Sequence, residues 1–190
     1  LQELAELQIH QKWLESGFIT KEWLKATYER FCNSDDKNTE HYRYAAFLQV
    51  LSSKPLISDE EIEKYIELAE IDVDKRMAEA ALGALIRVGM KQDKLDWFSN
   101  HAAYQTKYLQ KILKQKILLR EIEENKAEPI AEAQFERYIA SKDDWVQRIL
   151  LWQGKLSQEQ VKALSIRGTN KAVRNIANQE LRRKKYREKL

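Results

Sequence analysis

The stretch from Leu156 to Leu181, L-S-Q-E-Q-V-K-A-L-S-I-R-G-T-N-K-A-V-R-N-I-A-N-Q-E-L, decides the fold. It reads as two helices joined by a polar break. Ser157 stands where an N-cap belongs, and Gln160, three residues on, can return the hydrogen bond, so the two make a capping box. Leu156 and Val161 flank that box as a hydrophobic staple. Val161, Leu164 and Ile166 follow at helical spacing. R-G-T-N interrupts the run, and a second helix carries Val173, Ile176, Ala177 and Leu181.

The same opening occurs twice more, as I-T-K-E-W-L from Ile19 to Leu24 and I-S-D-E-E-I from Ile57 to Ile62. Ser58 and Glu61 complete a second box. Thr20 can cap, but Trp23 stands in the third position, so its box is incomplete. After Ser58 the apolar positions are Ile62, Tyr65, Ile66, Leu68 and Ala69. I-D-V-D breaks the pattern, and a second helix with Met77, Ala80, Ala81, Ala84, Leu85 and Val88 stops at Gly89, a residue suited to a C-cap.

The first unit pairs the helix after Thr20 with one carrying Tyr44, Ala45, Phe47, Leu48 and Leu51, across the break N-S-D-D-K-N. Pro55 and Pro129 mark boundaries. D-K-L-D-W-F precedes a long helix from about Tyr104 to Asn125 that carries Tyr108, Leu109, Ile112, Leu113, Ile117 and Leu118. A short helix over Ala131 to Ala140 is followed by S-K-D-D and W-V-Q-R-I-L-L-W. Starts recur every roughly 26 to 39 residues, the spacing of stacked supersecondary units. Residues 1–16 read as a lone capping helix with Leu4, Leu7, Trp13 and Leu14 facing inward.

Composition agrees. Only 5 Gly and 2 Pro occur in 190 residues, too few turn formers for a β-rich fold. The expectation is an all-α, right-handed superhelix of stacked antiparallel helical pairs, about 10–12 helices in one domain over 1–190. It has the capping helix at 1–16, about five pairs from 17 to 182 and a basic end at 183–190. Cys32 is the one cysteine, which excludes an internal disulfide and fits a reducing, cytoplasmic setting. His10, His41 and His101 lie far apart with no ligand spacing. No run approaches the ~18 apolar residues of a membrane span, so no membrane partner is expected. The chain opens on Leu1 rather than Met, as a trimmed product or part of something longer would.

The segment D-D-W-V-Q-R-I-L-L-W-Q-G-K-L-S-Q-E-Q-V-K-A-L-S-I-R-G-T-N-K-A-V-R-N-I-A-N resembles consecutive HEAT-like units, and is similar to the leucine-rich-repeat-variant style. In both families the second helix opens with a D/N-x-x-V-R element. Here it stands at Asp143 to Arg148 and Asn170 to Arg174, with a looser version, D-V-D-K-R-M, around Arg76. The resemblance implies an α-solenoid that scaffolds or binds macromolecules, with no shared chemistry. W-V-Q-R also resembles a helix opening in HEAT-like DNA glycosylases, but no W-D-x-x-D block accompanies it. Trp145 is therefore expected to pack between repeats.

Catalysis finds no signature. Asp35/Asp36, Glu60/Glu61, Glu123/Glu124 and Asp143/Asp144 are adjacent pairs, which do not face each other on a helix. Cys32 is expected as a small buried side chain, with His41 the nearest histidine. The chain is expected to be a non-enzyme, without cofactor or metal. Charge is uneven: from Lys162 onward ten basic residues stand against two acids. Lys107, Lys111 and Lys114 share a helix face, and no acid stands near them before Glu121. Protein–protein interaction through the second helices is the leading expectation. The contact residues expected are Arg43, Arg76, Lys107, Lys111, Lys114, Arg148 and Arg174, the last two alternatively serving an internal arginine ladder. The alternative is DNA or RNA binding through a basic face, with Tyr104, Tyr108, Trp145 and Trp152 placed to stack on bases.

Overall fold

A computed structural model describes residues 2–53, 58–90, 94–101 and 106–183. Among these the chain is all-helical, with twelve α-helices and no strand. In order they are α1 (Gln2–Glu6), α2 (Lys12–Glu15), α3 (Lys21–Asn33), α4 (Thr39–Ser53), α5 (Asp59–Glu70) and α6 (Lys75–Ala84). Next come α7 (Leu95–Ser99), α8 (Lys107–Glu124), α9 (Glu132–Ala140), α10 (Asp144–Gln153), α11 (Gln158–Arg167) and α12 (Lys171–Leu181). A π-helical turn, Leu85–Gly89, extends α6. Two compact units divide the chain, Leu1–Leu113 and Lys114–Leu190.

Local chemistry sets the helix starts. Ser58 with Glu61, and Ser157 with Gln160, form complete capping boxes. Thr20 accepts from Trp23 N alone. Asp74, Asp143 and Asn170 cap α6, α10 and α12 through side-chain oxygens. Ile19 and Leu24 are both buried, as are Leu156 and Val161. Ile57, Pro55, Tyr104 and the basic run Lys184, Lys185, Arg187 and Lys189 lie outside the described residues.

In the first unit, α4 and α5 pack against α6, and α1 against α3. Trp13, Phe47 and Tyr65 form an aromatic chain, with centroids 4.6 Å apart for Trp13–Phe47 and 5.0 Å for Phe47–Tyr65, both near edge-to-face. Tyr65 Oη donates to the Ala81 carbonyl at 3.1 Å, which satisfies its buried hydroxyl.

Several expectations shift here. The opening stretch is two short helices rather than one, because Gln8 takes a left-handed backbone, φ 55°. The break buries Ile9 beside Leu4, Leu7 and Trp13, and leaves Leu14 half-buried. In α4, Arg43, Ala46, Phe47 and Val50 face inward at helical spacing, so Leu48 turns out to solvent. Val88 is also exposed, carried outward by the π-helical turn, and so is Ile166. Cys32, expected inside, is exposed near the end of α3.

The α3–α4 connection is held by an exposed ion pair, His41 Nδ1 to Asp36 Oδ2 at 2.7 Å. The hydrogen bond to Asp36 raises the imidazole pKa, and the same bond lowers that of the carboxyl. His41 therefore contributes stability fully present below its ordinary value of about 6.5 and lost as pH rises through the raised one. Asp36 contributes stability present above its ordinary value and lost as pH falls through the lowered one. Proton NMR of the His41 ring should give a midpoint above about 6.5, and Asp36→Asn should return it to that value. An unshifted wild-type midpoint would mean the pair does not persist in solution.

In the second unit, α9 packs against both α10 and α11, α10 against α12, and α11 against α12. Phe135, Tyr138, Val146, Leu150, Val161, Leu164, Val173 and Ala177 form its core. Two buried glutamines tie the pairs together. Gln147 Nε2 donates to the Ile139 carbonyl at 3.2 Å, and its Oε1 accepts from Thr169 N at 2.9 Å. Gln160 Nε2 donates to the Ile130 carbonyl at 2.9 Å. The connections ahead of α9 and α11 also meet, with Ile130 N donating to the Lys155 carbonyl at 3.2 Å.

Candidate interaction surface

In the paired reading of the sequence, the second helices are α4, α6, α8, α10 and α12. Among the described residues, four of the eight exposed large apolar side chains lie on these helices: Leu48 on α4, Tyr108 on α8, and Trp145 and Trp152 on α10. Val88 adds a fifth from the turn that continues α6. First helices carry Trp97 and Ile166, and Val73 sits in a connection. A large apolar side chain left in water is a place where a partner gains by covering it.

The structure sorts the seven expected contact residues into three groups. Arg43 is a correction: it is 2% exposed and closed to a partner. Its Nε donates to Asp72 Oδ2 at 3.1 Å and Oδ1 at 3.3 Å, and its Nη1 donates to Thr39 Oγ1 at 2.9 Å and Gln8 Oε1 at 3.2 Å. Burial raises the Asp72 pKa, opposed by a bond from Asp74 N and by the Arg43 charge. The cause is helical phase, since Arg43 stands on the face of α4 that carries Ala46, Phe47 and Val50.

Arg76, Lys107, Lys111 and Lys114 are exposed. Arg76 stands at the rim of an open groove of about 340 Å³ in the first unit, which Ala69, Glu79, Leu82 and Leu109 also line. Lys107 and Lys111 flank exposed Tyr108 at the start of α8.

Arg148 and Arg174 are half-buried and locally engaged. Arg148 Nη2 pairs with Asp144 Oδ2 of its own helix at 3.0 Å. Arg174 Nη1 donates to the Gly168 carbonyl at 2.7 Å. The first bond stays within α10, and the second reaches back from α12 to the C-cap of α11.

Trp145 overturns its expected role between repeats. It is 45% exposed, and Trp152, seven residues on, is 54% exposed. Their ring centroids lie 6.0 Å apart at 83°. Ile149, partly buried, stands between them on the same side of α10. The core side of α10 is formed by Val146, Gln147, Leu150 and Leu151.

A scan of protein-family models, a search of curated proteins and a search of solved structures each found no match. The surface is therefore read from its own chemistry. Among the described residues no group of three or more His, Cys, Asp or Glu is placed to hold a metal ion. No described helix is long and apolar enough to cross a membrane. Cys32 has Tyr28, not a histidine, as its interacting neighbour, and His41 is bound to Asp36.

Proposed function

We propose that this chain is a non-catalytic scaffold, a short α-solenoid of the HEAT-like kind that binds another protein through its second helices. The observation that carries the reading is the concentration of exposed apolar side chains on those helices, with Trp145 and Trp152 foremost. Tryptophan is among the residues that dominate binding energy at protein interfaces. The stacked character rests on the packing within each unit. In the second, first helix lies on first helix (α9, α11) and second on second (α10, α12), and in the first, α4 lies on α6. One helical pair cannot bury its apolar face alone, and such neighbours supply the cover.

The test is affinity capture with the purified chain and with a Trp145→Ala/Trp152→Ala variant. Both side chains are exposed, so the variant should keep wild-type circular dichroism. A partner held by the wild type should be weakened by about 30-fold or more in the variant, since a hot-spot tryptophan is worth about 2 kcal/mol or more. Equal capture by both proteins would remove this surface from the proposal.

A second reading, nucleic-acid binding, is favoured by one observation: Lys107, Lys111 and Lys114 are all exposed, with Tyr108 exposed among them. Fluorescence anisotropy with labelled single-stranded and duplex DNA and RNA, at low and near-physiological salt, separates the two. Protein binding predicts no affinity for bulk nucleic acid. A log–log salt slope of several units, at ~0.9 per phosphate neutralised and reduced when the three lysines become Gln, would reverse the ranking.

A further inference from the structure

We infer that the α10–α12 face takes an acidic peptide segment bearing an aromatic or aliphatic anchor. The inference rests on the scaffold reading and names the chemistry of its partner.

The anchor site is the tryptophan pair. Trp145 and Trp152 stand together at 6.0 Å with rings at 83°, so one indole offers its face beside the edge of the other. This L-shaped apolar corner suits one bulky apolar side chain.

Charge defines what surrounds the anchor. Asp144 is the one carboxylate of α10, and Arg148 of the same helix neutralises it. Glu180 is the one carboxylate of α12, and it is buried and paired with Arg183. The outward positions of α12 are Lys171, Ala172, Asn175, Asn178 and Gln179. Lys171 and the half-buried Arg174 thus outnumber the one other carboxylate at this end, that of Asp143, which caps α10 through Trp145 N and Val146 N. The Arg174 bond to the Gly168 carbonyl uses one N–H and leaves its charge intact. Gln147 ties the backbone just ahead of α12 to the first turn of α10, so Lys171 at the start of α12 lies toward the end of α10 that carries Trp145. Asparagine and glutamine amides along α12 can bond an extended backbone. A partner that brings carboxylates to Lys171 and Arg174 and an apolar side chain to the indoles meets all three features.

A nucleic-acid strand fits this face less well. Successive bases stack on roughly parallel platforms, and rings at 83° provide one platform, not two. Arg148 is already committed to Asp144, so few cations remain to track a run of phosphates.

The experiment is selection of a random-peptide phage library on the full chain, with the Trp145→Ala/Trp152→Ala variant for counter-selection. Enriched peptides should combine Asp or Glu with Trp, Phe, Leu or Ile. As labelled synthetic peptides they should lose about tenfold or more in affinity on the double variant. Lys171→Glu should weaken them severalfold without harming the fold, because an acid at the first position of a helix favours its dipole. Trp-dependent peptides that are neutral or basic would overturn this inference and leave the scaffold reading standing. No Trp-dependent enrichment, or displacement of the peptides by oligodeoxythymidine at near-physiological salt, would overturn both.

Discussion

Asp72→Ala is expected to destabilise the first unit by about 3–5 kcal/mol, the usual result of removing one partner from a buried ion pair. The side chains of Arg43 and Asp72 are 2% and 3% exposed. Without the carboxylate, the guanidinium keeps the neutral oxygens of Thr39 and Gln8 as hydrogen-bond acceptors and Asp74 as an anionic neighbour, and its charge stays buried against an apolar core. Asp74 N also loses its bond to Asp72 Oδ1, 2.8 Å in the native chain, at the break before α6. The check is urea unfolding of wild type and variant, read as a change in midpoint at a constant slope. The double variant Arg43→Met/Asp72→Leu should recover most of the loss, because it removes both charges and keeps apolar volume. A loss below about 1 kcal/mol for Asp72→Ala would mean that water reaches the pair as it reaches a surface ion pair.

Gln147→Leu is expected to destabilise the second unit by about 2–3 kcal/mol. Leucine nearly matches the volume, so packing is largely preserved and the effect isolates two hydrogen bonds. The Ile139 carbonyl and Thr169 N each lose a partner in a buried or partly buried setting, at about 1–3 kcal/mol for a fully buried group. Gln147 itself is fully buried. Denaturant unfolding again measures the loss. The same variant should loosen the seating of α12 on α10, so peptides selected on the α10–α12 face should bind more weakly even though Trp145 and Trp152 are intact. Unchanged stability would show that both backbone groups find water.

Helix starts were legible because they are local. A cap and its box lie within four residues, so Ser58/Glu61 and Ser157/Gln160 could be read directly, and the incomplete start at Thr20 as well. The polar breaks between successive helices were legible for the same reason. The candidate surface was only partly legible. The exposed lysines of α8 were readable from the long stretch without acid before Glu121. Arg43 and Gln147 were missed, although a signal was present: each stands three or four residues from apolar core positions, in register with Phe47 and with Leu150 and Leu151. A polar residue in phase with a core face is a buried polar residue whenever the fold supplies it with partners.

The tryptophans mark where sequence reading stops. W-V-Q-R-I-L-L-W is apolar around most of its circumference, so helical period groups Trp145, Ile149 and Trp152 on one side and Val146, Leu150 and Leu151 on another without saying which side meets the core. Sequence alone determined that this chain is helical and where the side-chain-capped helices start, because capping and periodicity act over a few residues. Tertiary packing decided that Arg43 goes inside with Asp72, that Cys32 stays outside, and that Trp145 and Trp152 face solvent. Those outcomes depend on which neighbouring helix covers which face, and contacts across tens of residues settle that.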